Sequence, residues 1–195
     1  MALSPVLPGE LAAVVTYLEM RERPRPRPVP PSPLRLLRWT SPAPDRYRAL
    51  FRRVGQRWLW FSRLAMSDET LGAILEDPAV KIFAAVDRAG IEVGLLELDC
   101  RRPPDCEIAF FGLVPELTGR GIGRWLMAET LVHAWTPESE RLWVHTCTLD
   151  HPSALGFYRA QGFLPFARAV ESFADPRLLG LLPRDAAPQI PLLGN

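Results

Sequence analysis

Between Leu117 and Leu126 the chain reads LTGRGIGRWL, with glycines at 119, 121 and 123 running straight into apolar, helix-forming sequence. A glycine inside a helix costs about 1 kcal/mol relative to alanine. Three of them at alternate positions call for a loop whose bare backbone approaches another group closely. At the mouth of a helix that group is most simply an anion, because free N–H groups and the positive helix end both favour negative charge. A tight strand-to-helix turn without a ligand needs fewer glycines. The dinucleotide fingerprint GxGxxG fails on spacing: counted from Gly119 its sixth place is Arg124, and counted from Gly121 it is Leu126. A Walker GxxxxGK[ST] is absent as well.

The chain has 195 residues, of which 48% are hydrophobic, enough for one domain with a sizeable core. With 23 basic and 22 acidic side chains the net charge is +1, so no global field draws it to nucleic acid or to a membrane surface. Cys100, Cys106 and Cys147 are an odd number without CxxC spacing, which suggests free thiols in a reducing cytoplasm and no metal site. Pro5, Pro8 and Glu10 interrupt the first apolar run, which also lacks a basic start, so no secretory leader is expected. No stretch reaches the roughly 18 apolar residues of a spanning helix. The expectation is a cytoplasmic protein.

Hydrophobic periodicity orders the rest. Val14–Met20 reads as a strand or a short helix, with the strand favoured. Arg21–Pro33 holds six prolines and four arginines and should be an extended surface connector, the alternative being a ligand for a proline-reading module. Leu34–Trp39 reads as a strand. A helix opens at Asp45, taken as its cap, with Tyr47, Leu50, Phe51 and Val54 on one face. Ser67 caps a second, short helix that ends before Pro78. Lys81–Asp99 is a hairpin turning at Asp87–Gly90, and Cys106–Val114 is a further strand stopped at Pro115. After the glycine loop a helix runs to about Ala134, apolar around most of its circumference and so buried on more than one side. Arg141–Cys147 is a strand. Asp150–Gly162 is a helix with Pro152 near its first turn and Gly162 just past its end. Gly162–Phe173 makes a last strand, and Asp175–Asn195 reads as a loosely held tail. Residues 1–33 are set apart as an N-terminal extension, 34–173 as the domain and 174–195 as the tail. This order predicts an α/β fold, a three-layer sandwich whose mixed sheet carries helices on both faces.

The stretch PELTGRGIGRWL resembles motif A of the GNAT acetyltransferase superfamily, a Q/R-x-x-G-x-G/A pattern after a V-x-P strand end. It falls on Thr118, Gly119, Arg120, Gly121, Ile122 and Gly123, with Leu113-Val114-Pro115 at the strand end and Thr118 where Gln or Arg is usual. The run HTCTLDHPSALGFYRAQGF resembles the superfamily's second signature, N-x-x-A-x-x-x-Y-x-x-x-G-F. Ala154, Tyr158, Gly162 and Phe163 match it, and His151 takes the asparagine place. The resemblance spans about Lys81 to Phe173.

It implies a mostly antiparallel sheet and transfer of an acetyl group from acetyl-CoA to an amine of a small molecule or a protein, with no metal. Main-chain groups of Thr118, Gly119, Arg120, Gly121, Ile122, Gly123 and Arg124 would cradle the pyrophosphate, and His151 would cap its helix or face the CoA. The strand before the loop would splay from its neighbour, so that Leu113 and Val114 pair with pantetheine amides. Tyr158 is the implied acid for the departing thiolate. Glu107 is the implied base, on the same strand face as Leu113 if the strand is regular, with Glu97 and His145 in reserve. As sheet histidines go, His145 reads more simply as satisfied by its neighbours. Trp58, Trp60 and Phe61 are expected in the core or in an apolar acceptor pocket, and Met127, Trp125, Trp135 and Trp143 in the core. A homodimer is compatible with this reading. The other class of function is a non-catalytic acyl-CoA-binding sensor or scaffold.

Overall fold

The computed structural model describes residues 3–25 and 28–193. Pro26 and Arg27, in the proline-rich stretch, and residues 1, 2, 194 and 195 lie outside the described residues. The elements run β1 (Glu10–Met20), β2 (Arg35–Trp39), α1 (Pro44–Gly55), α2 (Asp68–Glu76), β3 (Val80–Val86), β4 (Glu92–Arg102), β5 (Asp105–Leu113), α3 (Ile122–Ala134), β6 (Arg141–Cys147), α4 (Ala154–Ala160) and β7 (Leu164–Ala174). Short 3-10 turns occupy Gln56–Trp58 and Pro115–Leu117.

One seven-stranded sheet organises these pieces in the order β2-β3-β4-β5-β6-β1-β7. Every neighbouring pair is antiparallel except β5 and β6, which are parallel. Helices cover both faces, giving the expected three-layer sandwich. On one face α1 packs Tyr47 and Phe51 against β4 and β5, where Phe51 meets Phe110 edge to face at 4.8 Å. On the other, α3 sets His133 over Phe83 of β3 at 4.5 Å, and α4 sets Phe157 against Phe111 of β5 at 5.7 Å. Because β3 and β4 are covered on both sides, they are near-continuous apolar runs rather than alternating ones. Trp125, Leu126, Met127, Thr130 and Ala134 of α3 are all buried, as its uniform apolar circumference requires.

Several expectations change. α1 begins at Pro44 with Ala43 at its cap, so Asp45 is not the cap but lies within the first turn. Proline's fixed φ and missing N–H suit that first position, and Asp45 there complements the helix dipole instead. Ser67 does cap α2, its hydroxyl accepting from the Thr70 amide at 3.1 Å. The stretch set apart as an extension contributes β1, which lies inside the sheet between β6 and β7. The chain must then cross from the sixth sheet position to the first. At ~4.8 Å per strand that is roughly 24 Å, well within reach of the extended proline-rich connector at ~3.1 Å per residue. Its described residues carry neither helix nor strand.

The cysteines are not three free thiols. The β4–β5 hairpin brings Cys100 and Cys106 face to face, with Cα atoms 4.2 Å apart, and they form a disulfide; Cys147 is free. Their spacing follows from a hairpin register, which no short cysteine motif encodes. No helix among the described residues is long and apolar enough to cross a membrane.

The C-terminal segment is packed rather than loose. Asp175 and Arg177 are each almost fully buried and joined at 2.7 Å. Arg177 also donates to the carbonyls of Ala186, Ile190 and Pro191, and Leu182, Ala186 and Ala187 are buried. Burial alone would raise the Asp175 pKa, but the Arg177 hydrogen bonds and charge outweigh it and hold the carboxyl below its usual range. Removing Arg177 leaves a buried carboxylate without its counterion. Arg177→Ala is therefore expected to lower stability by about 3–5 kcal/mol in denaturant unfolding. In the native chain the pair's contribution is present above the ordinary aspartate range and is lost as pH falls through the depressed Asp175 pKa, visible as acid-sensitive unfolding.

Candidate active site

The parallel seam between β5 and β6 is the weak line of the sheet. The strands pair only from Asp105–Arg141 to Ile108–Val144, although β5 continues to Leu113 and β6 to Cys147. On the β4 side, Ile108 pairs with Leu98 and Phe110 with Glu97, so Ala109 is an extra residue bulged out of the ladder. A bulge bends its strand and sharpens the local twist. Beyond it β5 and β6 part, and a cleft of about 580 Å³ runs between them from one face of the sheet to the other.

The same bulge overturns an expectation from regular alternation. Glu107 shares a β5 face with Phe110 and Gly112, the α1 side, whereas Leu113 shares the opposite face with Phe111 and α4. Leu113 lines the cleft; Val114 is buried beneath it, its N–H donating to the Val93 carbonyl at 2.9 Å and its carbonyl accepting from Leu117. Of that pair only Leu113 is placed to meet a ligand along the cleft.

One end of the cleft is the glycine turn. Thr118, Gly119, Gly121, Gly123 and Arg124 line it, while Arg120 is exposed to solvent and Ile122 packs on the core. Gly119 and Gly121 have φ of 75° and 77°, left-handed values that side chains with a Cβ rarely adopt. Gly121 caps α3 without any side-chain hydrogen bond, which leaves the amides of the helix start to another acceptor. Thr118 donates its hydroxyl to the Pro115 carbonyl at 2.7 Å and so braces the turn. Gly123 is helical, and a Cβ there would meet Phe157 at an ordinary 3.5 Å.

Across the seam lies Tyr158, 7% exposed and ringed by Phe111, Phe157 and Phe163. Burial, with the Asp150 charge added, raises its pKa far above that of a free phenol, so it stays protonated. His145 also lines the cleft, and its Nδ1 lies 3.3 Å from Glu107 Oε1. That hydrogen bond raises the His145 pKa against the opposing effect of burial. Glu107 itself stands one layer behind the cleft wall and communicates with it through His145. Glu97 is fully buried, accepting from Tyr47 and Arg63, and does not reach the cleft. His151 lines the cleft, its Nδ1 held 2.8 Å from the Ser153 hydroxyl and its ring 5.1 Å from Trp58. Cys147 lines it too, with burial pushing its thiol pKa to about 11, so it is no nucleophile at neutral pH.

Sequence reasoning did not find Asp150 or Glu171. Asp150 accepts from the Thr146 hydroxyl at 2.8 Å, the Cys147 amide at 3.0 Å and the Trp60 indole at 3.3 Å. The one signal for it was its place just before the helix signature. The far end of the cleft is aromatic: Trp58, Trp60, Phe61, Phe110 and Phe173. Trp60 sits where two glycines make room, since a Cβ at Gly55 would come within 2.5 Å of it and one at Gly112 within 3.1 Å. Leu59, just before it, holds a left-handed φ of 55° although it is not glycine, a strain that aims the following indole. Trp125, Trp135 and Met127 are core as expected, while Trp143 is half-exposed beside Tyr17 and His145.

The profile of the acetyltransferase (GNAT) family matches residues 18–163. No curated protein matches the chain. Among solved structures, a GCN5-related N-acetyltransferase from Sphaerobacter thermophilus is similar with a TM-score of 0.58 at 16% identity, over 86% of this chain and 52% of that one. An aminoglycoside acetyltransferase from an uncultured soil metagenomic sample, in complex with sisomicin, gives 0.55 at 18%, over 67% and 88%. A tandem GNAT protein from the clavulanic acid biosynthesis pathway gives 0.51 at 19%, over 87% and 54%. The chain thus spans about half the length of the first and third. At these identities the likeness shows the fold.

The turn's backbone separates its glycines. Gly121→Ala must hold a left-handed φ and is expected to cost about 1–2 kcal/mol, whereas Gly123→Ala, helical and uncrowded, should leave stability unchanged or raised. Thermal unfolding of the two unliganded variants side by side checks this.

Proposed function

Because the chain belongs to the acetyltransferase (GNAT) family, we propose that it transfers the acetyl group of acetyl-CoA to a primary amine by direct attack in a ternary complex. One observation carries this reading: a single cleft through the parted β5–β6 seam joins an uncapped, glycine-lined helix start to a buried phenol and a carboxylate-paired histidine.

The pyrophosphate of the donor meets the backbone of Thr118–Arg124, where glycine conformation and the α3 dipole favour an anion. Arg124 adds charge at the cleft wall. The pantetheine arm lies along β5 beyond the bulge, beside Leu113, where the strand has lost its parallel partner. A β5 main-chain N–H facing the thioester oxygen would stabilise the charge that develops there.

An alkylamine is mostly protonated at neutral pH, with a pKa near 10.4 for lysine, so a base must take a proton before attack. His145 faces the cleft and Glu107 orients it, so the base is the pair rather than Glu107 alone. His145 passes this first proton to solvent and takes the nitrogen's second proton as the C–N bond forms. As the C–S bond breaks, Tyr158 donates its proton to the departing sulphur, and the proton then held by His145 returns the phenol to its neutral form through solvent. Burial of Tyr158 supports this role, because it keeps the phenol protonated. His151 borders the donor side of the same cleft.

Tyr158→Phe removes only the proton donor and no hydrogen bond among the described residues. It is expected to lower kcat by about 100-fold or more while stabilisation by acetyl-CoA in a thermal-shift measurement is retained. A binding module without turnover would show the second result with no activity in the native protein either. The pH profile tests the base. His145 must be unprotonated, and its pKa lies above the ordinary 6.5, so kcat/KM falls as pH drops through that raised value. Glu107→Gln withdraws the cause of the shift and should move this acid limb to lower pH.

A further inference from the structure

We infer that the acceptor is a small primary amine carrying one positive charge on an aromatic or branched apolar body, with no carboxylate. The inference rests on the acetyl-transfer reading above and concerns the half of the cleft that the donor does not fill.

Shape and polarity set the body. The half away from the glycine turn is walled by the indole of Trp60 against Phe110 at 5.2 Å, and by Phe61 against Phe173 at 5.0 Å. Phe51 supports the first pair from behind, 5.6 Å from Trp60. These rings are fixed rather than adaptable, because Trp60 is wedged over Gly55 and Gly112 and tied by its N–H to Asp150. A flat apolar body gains burial against such a wall, while a polyhydroxylated sugar would lose water from groups that find few partners.

Charge sets the rest. The charged side chains along the cleft divide by position: Arg124 belongs to the glycine turn, and Asp150 and Glu171 lie with the aromatic wall. Glu171 is two residues from Phe173 on β7 and therefore on the same strand face. Two arginines touch the aromatic layer without lining the cleft: Arg63 stacks on Phe110 at 5.2 Å but is buried with its charge committed to Glu97, and Arg57 stacks on Trp58 at 5.9 Å and is itself exposed to solvent. Among the described residues lining this half there is no lysine or arginine. An ammonium is attracted there, whereas the carboxylate of an amino acid would face Asp150 and Glu171 without a counterion. The carboxylates are also too few for a polycation: Asp150 already accepts three hydrogen bonds, leaving Glu171 as the open partner.

The test measures CoA release and N-acetylated product by mass spectrometry with four probes: tryptamine, tryptophan, phenylethylamine and kanamycin. Stabilisation of the full chain by acetyl-CoA alone is measured in parallel. The expected result is a kcat/KM for tryptamine and phenylethylamine on the order of 100-fold above tryptophan and kanamycin. Glu171→Gln should raise KM for tryptamine about fivefold or more with kcat little changed, and Glu171→Lys should narrow the gap between tryptamine and tryptophan. Tryptophan or kanamycin turned over as fast as tryptamine would overturn the inference and leave acetyl transfer standing. Stabilisation by acetyl-CoA with no turnover of either aromatic amine also overturns it. Absence of that stabilisation removes the acetyl-CoA reading itself, and the inference with it.

Discussion

The candidate site depends on two parallel strands that stop pairing. β5 and β6 share hydrogen bonds only as far as Ile108 and Val144, and the extra residue at Ala109 turns β5 away from its neighbour. The backbone beyond the bulge keeps its antiparallel ladder to β4 on one side, so the strand is anchored while its other edge is exposed to the cleft. β6 is likewise held by β1 as far as Cys147. A sheet can be opened in its middle without falling apart because each lip of the gap still belongs to an intact antiparallel pair.

The two sides of the opening have different physics. On the α3–α4 side a backbone turn with left-handed glycines presents amides and a helix dipole. On the α1 side the wall is a lattice of rings whose positions are set from below. There Glu97, with no exposed surface, accepts from both Tyr47 and Arg63, and Arg63 in turn lies over Phe110. A buried carboxylate is costly unless paired and hydrogen-bonded, and satisfying Glu97 holds α1, the Arg63 loop and β4 in one arrangement. This is why a carboxylate that looked like a spare base in the sequence proves to be a structural anchor. In the mechanism we propose, burial of Tyr158 and pairing of His145 with Glu107 divide proton donor from proton acceptor across the gap.

Much of this was legible beforehand for reasons that are local. The glycine spacing needs only the rule that left-handed backbone disfavours side chains with a Cβ, and Gly119 and Gly121 obey it. Tyr158 and Gly162 sit at offsets fixed by one helix and its end. The differences arise where a residue outside the short pattern decides. Regular alternation placed Glu107 beside Leu113, and a single bulged residue dictated by the β4 register put them on opposite faces. Pro44, suited to the first helical position, starts α1 ahead of Asp45 and leaves the cap to Ala43. Cys100 and Cys106 met because a hairpin folded them together.

The amino-acid order by itself determined the sequence of elements, the amphipathic and all-apolar faces that must be covered, and the left-handed glycine turn, since each follows from a few adjacent residues and backbone sterics. Only the tertiary structure decided that β1 enters the sheet between β6 and β7, that the C-terminal segment is locked by Asp175 and Arg177, and that Asp150 and Glu171 join the aromatic wall. The place of β1 and the aromatic wall rest on residues widely separated along the chain, and Arg177 locks its segment by reaching on to the carbonyls of Ala186, Ile190 and Pro191; the energy of such packing is shared across the core rather than written in any one stretch.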